Sequence, residues 1–189
     1  MTLPRLVAWE RDDEAAGHSM AHVEADANGW VAHGTEVLAG PGPQLLLSCT
    51  FTIHVDDRWA ATDVTADAVS ALGSRSVRLR ADGAGHWQVD GSPAPHLTGC
   101  VDIDIAATPL TNTFPIRRLT DLPVGRSVTS PVAWVDVPSL QVQRVDQTYR
   151  RLGLREWEYG DPDHGTFALT VDDDGLVVDY AGFARRVAG

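Results

Sequence analysis

The sequence contains no lysine: all 15 of its basic residues are arginine, set against 26 Asp and Glu, for a formal net charge of −11. A chain this acidic, with no basic run, repels phosphate backbones, so no nucleic acid is expected as a partner. The same charge disfavours docking on anionic membranes. Long apolar runs are also missing. No segment approaches the roughly 18 apolar residues of a membrane span, and no stable membrane insertion is expected. The start, Met1-Thr2-Leu3-Pro4-Arg5-Leu6-Val7-Ala8-Trp9-Glu10, has neither the apolar stretch nor the cleavage site of a signal peptide, which makes a cytoplasmic location the expectation. Cysteine is scarce: Cys49 and Cys100 are expected as buried thiols rather than a disulfide.

What is present is the chemistry of β-structure. The hydrophobic content of 43% and charged content of 22% are ordinary for a folded chain, and the length suits a single domain over residues 1–189. Four dipeptides of the tight-hairpin type occur: Asn28-Gly29, Asp82-Gly83, Asp90-Gly91 and Asp174-Gly175. Asn, Asp and Gly tolerate the positive φ that such turns demand. Phe167, Leu169 and Val171 alternate with Ala168 and Thr170 before the last of them, and Val77, Leu79 and Ala81 alternate with Arg78 and Arg80 before the second. Further strands are expected at residues 6–10, 18–24, 30–38, 44–55, 132–137 and 141–149. Residues 61–72 offer a turn or two of helix starting near Thr62 or Thr65 and stopping at Gly73, but the strand evidence outweighs it. The turn-rich residues 106–129 form the longest irregular stretch, and a loop of that length is often functional. The fold class is all-β with little helix.

Most motifs that suggest chemistry have an ordinary structural reading. Gly17-His18-Ser19-Met20-Ala21 mimics a nucleophile elbow, but a strand follows the serine where that motif needs a helix. His18 and His22 lack a third ligand at metal-site spacing. Asp172-Asp173-Asp174-Gly175 is faintly like a calcium loop without its bidentate glutamate. No metal or cofactor is expected. Asp102 and Asp104 sit at i and i+2 of a strand, on one side, with Cα atoms about 7 Å apart. That separation suits a carboxylate pair acting on a glycan or lipid ester, and equally two acids facing solvent or capping the next loop. Arg117-Arg118 is a basic doublet beside the 106–129 stretch, either an anion fork or an internal bridge to Asp102 or Asp104. Six tryptophans, Trp9, Trp30, Trp59, Trp87, Trp134 and Trp157, are spread over separate strands; most are expected in the core and one or two in a pocket.

Several of these segments, in order, resemble one bacterial family. They are Gly99-Cys100-Val101-Asp102-Ile103-Asp104, Thr108-Pro109 with Thr111-Asn112-Thr113, and Pro115-Ile116-Arg117-Arg118-Leu119. Val132-Ala133-Trp134-Val135-Asp136-Val137-Pro138, Gln147-Thr148-Tyr149, Phe167-Ala168-Leu169-Thr170-Val171-Asp172 and Asp179-Tyr180 follow. Together they resemble the putative glycolipid-binding family. The first 90 residues match in outline only, through Trp9 and Gly85-His86-Trp87, and Ala181 stands where proline is expected.

The resemblance implies a spiral β-roll, a strongly curved antiparallel sheet similar to periplasmic lipoprotein carriers. It implies non-enzymatic binding of a lipid or glycolipid on the concave apolar face. The polar head would lie near residues 106–119, among Asp104, Thr111, Asn112, Arg117, Arg118, Gln147 and Tyr149. Two other functions stay open from the residues: a hydrolase using Asp102 and Asp104, and a protein-interaction module docking through residues 106–129.

Overall fold

The computed structural model describes residues 4–13, 16–40, 46–106 and 108–189. Among these, fifteen strands form one large curved sheet that does not close on itself. Strands β1 (Arg5–Arg11), β2 (Ala16–Asp26), β3 (Gly29–Ala39), β4 (Leu47–Asp56), β5 (Ala61–Ser70), β6 (Gly73–Ala81), β7 (Trp87–Val89) and β8 (Ser92–Pro93) run as consecutive hairpins to one edge. The chain then crosses to the opposite edge and returns through β9 (Asp102–Ile105), β10 (Ser127–Val135), β11 (Val142–Arg151), β12 (Glu156–Asp161), β13 (Gly165–Val171), β14 (Val177–Tyr180) and β15 (Ala184–Ala188). β15 pairs with β1, so the first and last strands are neighbours in the middle of the sheet. Every pairing is antiparallel except β9 with β10. A parallel pair needs a long crossover, and helix α1 (Thr113–Arg118) lies in the one that joins these two strands.

Period-2 patterning gives the sheet one buried face. In β4, Leu47, Cys49, Phe51, Ile53 and Val55 are buried while the residues between them are not. Each large apolar side chain removed from water in this way contributes about 1.5–3 kcal/mol. Gly34 of β3 lies beneath Phe51; a Cβ there would stand 2.1 Å from the ring, so only glycine lets the phenyl lie flat on its neighbour. The crossover from β8 to β9 is tied to both arms. The Val101 carbonyl accepts from Ala61 N at 3.0 Å, the Cys100 carbonyl from Trp87 Nε1 at 2.8 Å, and the Thr98 carbonyl from Arg144 Nη1 of β11 at 2.6 Å.

Residues 61–70 are strand, not helix, because Ala61, Val64, Ala66 and Ala68 bury against β4 and β6. All four dipeptides mark turns, with differing chemistry. Asp90-Gly91 is the tight type: Val89 pairs with Ser92, and both central residues have positive φ, 50° and 78°. The β2–β3 turn centres on residues 27–28, one residue early. Asp82 organises a five-residue loop by accepting from Ala84 N and His86 N. Asp172 does the same for Asp174 N and Leu176 N. Cys49 and Cys100 are buried free thiols. The expected strand start at 44–46 lies partly outside the described residues. No helix among the described residues is long and apolar enough to cross a membrane.

Candidate functional site

The 106–129 stretch departs most from expectation. Its centre is not a surface loop. Residues Pro109–Asn112 form a 3-10 turn that leads directly into α1, and positions 109–116 are buried. Thr108 caps the turn, its Oγ1 accepting from Leu110 N at 3.2 Å, with proline at the first position. A side-chain cap and a proline there are ordinary helix starters. Pro115, which has no backbone N–H to donate, is tolerated in the first turn of α1, where N–H groups lack an intrahelical acceptor. Leu110 and Phe114, at i and i+4, drive into the main core. Thr111 and Asn112 thereby face β9 and β11. Only the trailing residues, from Thr120 on, are largely exposed.

That fold-back brings five of the expected site residues into two adjoining hydrogen-bonded groups, with Asp104 half-buried and the other four buried. Asp104 accepts from Thr111 Oγ1 at 2.7 Å and from Gln147 Nε2 at 2.6 Å. Tyr149, on the same face of β11 as Gln147, donates its hydroxyl to Asn112 Oδ1 at 2.8 Å. Burial pushes the Asp104 carboxyl above the usual range, and the Thr111 and Gln147 hydrogen bonds pull against it. The tyrosine hydroxyls of Tyr149, Tyr159 and Tyr180 are raised by burial too and remain neutral donors.

The arginine doublet splits. Arg118 pairs with Asp102, which is only 1% exposed. Burial raises the Asp102 carboxyl, against the opposing pull of Arg118. The solvent-facing reading of the two aspartates therefore fails, because the 108–118 segment covers their side of β9. Asp102 is sealed under Arg118 while Asp104 reaches a cavity, so the two carboxyls do not share an open site. Arg117 leaves α1 in another direction, its guanidinium 5.1 Å from the Trp59 ring centre.

The cavity, of about 190 Å³, is bounded on one side by Asp104, Thr108 and Asn112. Aromatic rings form the opposite wall. Tyr159 lies 6.3 Å from Phe167 and 5.9 Å from Tyr180, and Tyr180 lies 4.6 Å from Phe183. Arg11 stacks on the outer side of that wall, 3.9 Å from the Phe183 centre. Trp134, Asp161 and His164 complete the rim. Burial tends to raise the Asp161 carboxyl, yet it is held below the ordinary range by hydrogen bonds from His164, Asp163 and Tyr159. Behind Thr108, Ser19 Oγ donates to the fully buried Glu36 at 2.5 Å. Burial pushes that glutamate up to about 8.

The aromatic wall lies outside the residues that the sequence singles out for the site. Its signal was present in Glu156-Trp157-Glu158-Tyr159, which alternates charge with aromatic rings as a half-buried strand does. Of the six tryptophans, Trp134 lines this cavity and Trp157 a second one; Trp9, Trp59 and Trp87 are core. Ser19 lies within β2, so the elbow-like motif is a strand. Asp172 accepts from Arg5 and Arg186. Among the described residues no group of three or more His, Cys, Asp or Glu could hold a metal ion.

An open, strongly curved, almost wholly antiparallel single sheet of this kind is a spiral β-roll. The chain belongs to the family described as "Putative glycolipid-binding", which matches it over residues 6–186. It is similar to a DUF1089 family protein from Pseudomonas aeruginosa of known crystal structure. The two share 31% sequence identity over 89% of this chain and 92% of that one, with a TM-score of 0.78. No curated protein matches it.

Proposed function

We propose that this protein binds a lipid of the glycolipid class without converting it, and that the aromatic cavity takes the sugar end. The observation that carries this reading is the pairing of ring faces (Tyr159, Phe167, Tyr180, Phe183) with hydrogen-bonding groups (Asp104, Asn112, Asp161) across one cavity. Sugars present an apolar C–H face and a rim of hydroxyls. Ring faces suit the first, and carboxylate and amide groups suit the second. At about 190 Å³ the cavity is below the roughly 300–1,000 Å³ of sites that enclose a drug-sized ligand. It therefore takes a ring-sized group and leaves the acyl chain outside. In this reading Asp104 and Asn112 meet the ligand, while Thr111, Gln147 and Tyr149 hold them in place. Arg118 keeps Asp102 neutralised beside them.

Native mass spectrometry of the gently purified protein, with solvent extraction of any adduct, tests the reading directly. The expected adduct is a glycolipid. Titration with glycolipids and with matched lipids lacking the sugar should show preference for the former, weakened at least tenfold in Tyr159→Ala and in Asn112→Ala with the fold intact. Equal binding of the sugar-free lipids, or unchanged affinity in both variants, would overturn it.

A further inference from the structure

A second cavity, of about 140 Å³, opens where α1 meets the β13–β14 turn, and Arg117, Arg151 and Arg155 line it. The distribution of ion pairs in this chain makes those arginines unusual. Among the described residues, five arginines have no carboxylate within 4.0 Å: Arg58, Arg75, Arg117, Arg126 and Arg151. Arg58, Arg75 and Arg126 are exposed, where water replaces a counter-charge at little cost. Arg117 and Arg151 are half-buried, and both face the same cavity. In a chain with 26 acidic side chains and 15 basic ones, the two guanidiniums that are both shielded and unpaired converge on one place.

Each is also pre-positioned. Arg151 is held by three backbone carbonyls, its Nε donating to Gly153 O at 3.1 Å and its Nη1 to both Thr120 O and Leu122 O, the latter at 3.0 Å, which leaves Nη2 without a hydrogen-bond partner. Arg117 lies against Trp59, and its Nε is buried with no acceptor. Gly175, at φ +77°, gives the Arg117 stem room; a Cβ there would stand 2.9 Å from Cδ of Arg117. The acids at the cavity are already engaged: Asp172 by Arg5 and Arg186, Asp173 by Arg155 at 2.6 Å. A buried donor without an acceptor is costly, and an unpaired shielded charge more so. An anion in the cavity supplies the missing counter-charge to both guanidiniums.

We propose that this cavity is an oxoanion site, built by Arg117 and Arg151 for a phosphate group. Two rigid forks approaching from different elements suit a tetrahedral anion with several acceptor oxygens better than a planar carboxylate, which one fork already satisfies. The volume admits the anion itself and little more, so whatever carries it extends outward. The site is separate from the aromatic cavity and does not depend on the sugar reading.

The probe is inorganic phosphate, titrated into the full chain by calorimetry and by thermal shift in phosphate-free buffer, with acetate for comparison. Wild type should bind phosphate saturably and gain melting temperature, with acetate at least tenfold weaker. Arg117→Gln and Arg151→Gln should each lose at least tenfold in phosphate affinity, while Arg58→Gln should not change. Without phosphate, Arg117→Gln should still unfold in one cooperative transition, which separates lost binding from lost folding. Vesicles containing phosphatidic acid and a soluble sugar phosphate then distinguish a lipid headgroup from a free phosphorylated molecule; binding of either supports the site. Absence of saturable phosphate binding by wild type, or equal affinity in both variants, would overturn it.

Discussion

Replacing Glu36 with glutamine should change how this protein's stability depends on pH. Glu36 sits on β3 with none of its surface exposed; Ser19 Oγ bonds one carboxyl oxygen, and the other has no partner. Burial raises it from an ordinary 4.5 to about 8, against smaller lowering effects of Ser19, Thr108 and Arg11. The folded protein therefore holds this proton more tightly than the unfolded chain does. Stability from this group is intact below about pH 4.5, falls as the pH rises, and is fully lost above about pH 8. At ~1.4 kcal/mol per pH unit, the interval between those values amounts to on the order of 5 kcal/mol. Glutamine keeps the shape and cannot ionise. Denaturant unfolding of wild type and Glu36→Gln between pH 4.5 and 9 should give curves that diverge steadily, the variant gaining relative to wild type up to about pH 8 and running parallel above it. Asp102 and Asp104 are raised as well, but they are common to both proteins and cancel in the difference. A constant offset between the two curves across the whole range would refute the reasoning.

Two further predictions concern packing and pairing. Arg118→Ala should destabilise by about 3 kcal/mol, because it strands the Asp102 charge in a site 1% exposed; adding Asp102→Asn should recover most of the loss, as measured by chemical denaturation. Gly34→Ala should cost roughly 1–3 kcal/mol by forcing the Phe51 ring off β3, and the double variant with Phe51→Leu should cost less than the sum of the two single changes, read from a double-mutant cycle of melting curves.

Much of the sheet was legible in the chain because strand chemistry is local. Residues 47–55 alternate core and surface at period 2, and Asp90-Gly91 supplies the φ values a two-residue hairpin needs. Segments failed to read where local pattern and tertiary role part company. Residues 61–70 are alanine-rich, which hides a strand whose small side chains pack between β4 and β6. β12 does not read as a strand because Glu156, Glu158 and Asp161 make it polar, although Trp157 and Tyr159 belong to the second core cluster. The 106–129 stretch reads as loop from its Thr, Asn and Pro content. It becomes a buried turn and helix because Thr111 and Asn112 find partners on β9 and β11, which are distant in sequence.

Periodicity and turn chemistry carry the all-β class and most of the strands and turns, and resemblance to the family singles out Asp104, Thr111, Asn112, Gln147 and Tyr149 as candidates. The tertiary structure alone decided what faces what. It sealed Asp102 beneath Arg118, sent Arg117 to a cavity of its own on another side of α1, and set Tyr159, Phe167, Tyr180 and Phe183 across from Asp104. Those outcomes depend on contacts between strands that only the curl of the sheet brings together, and no local pattern encodes the curl.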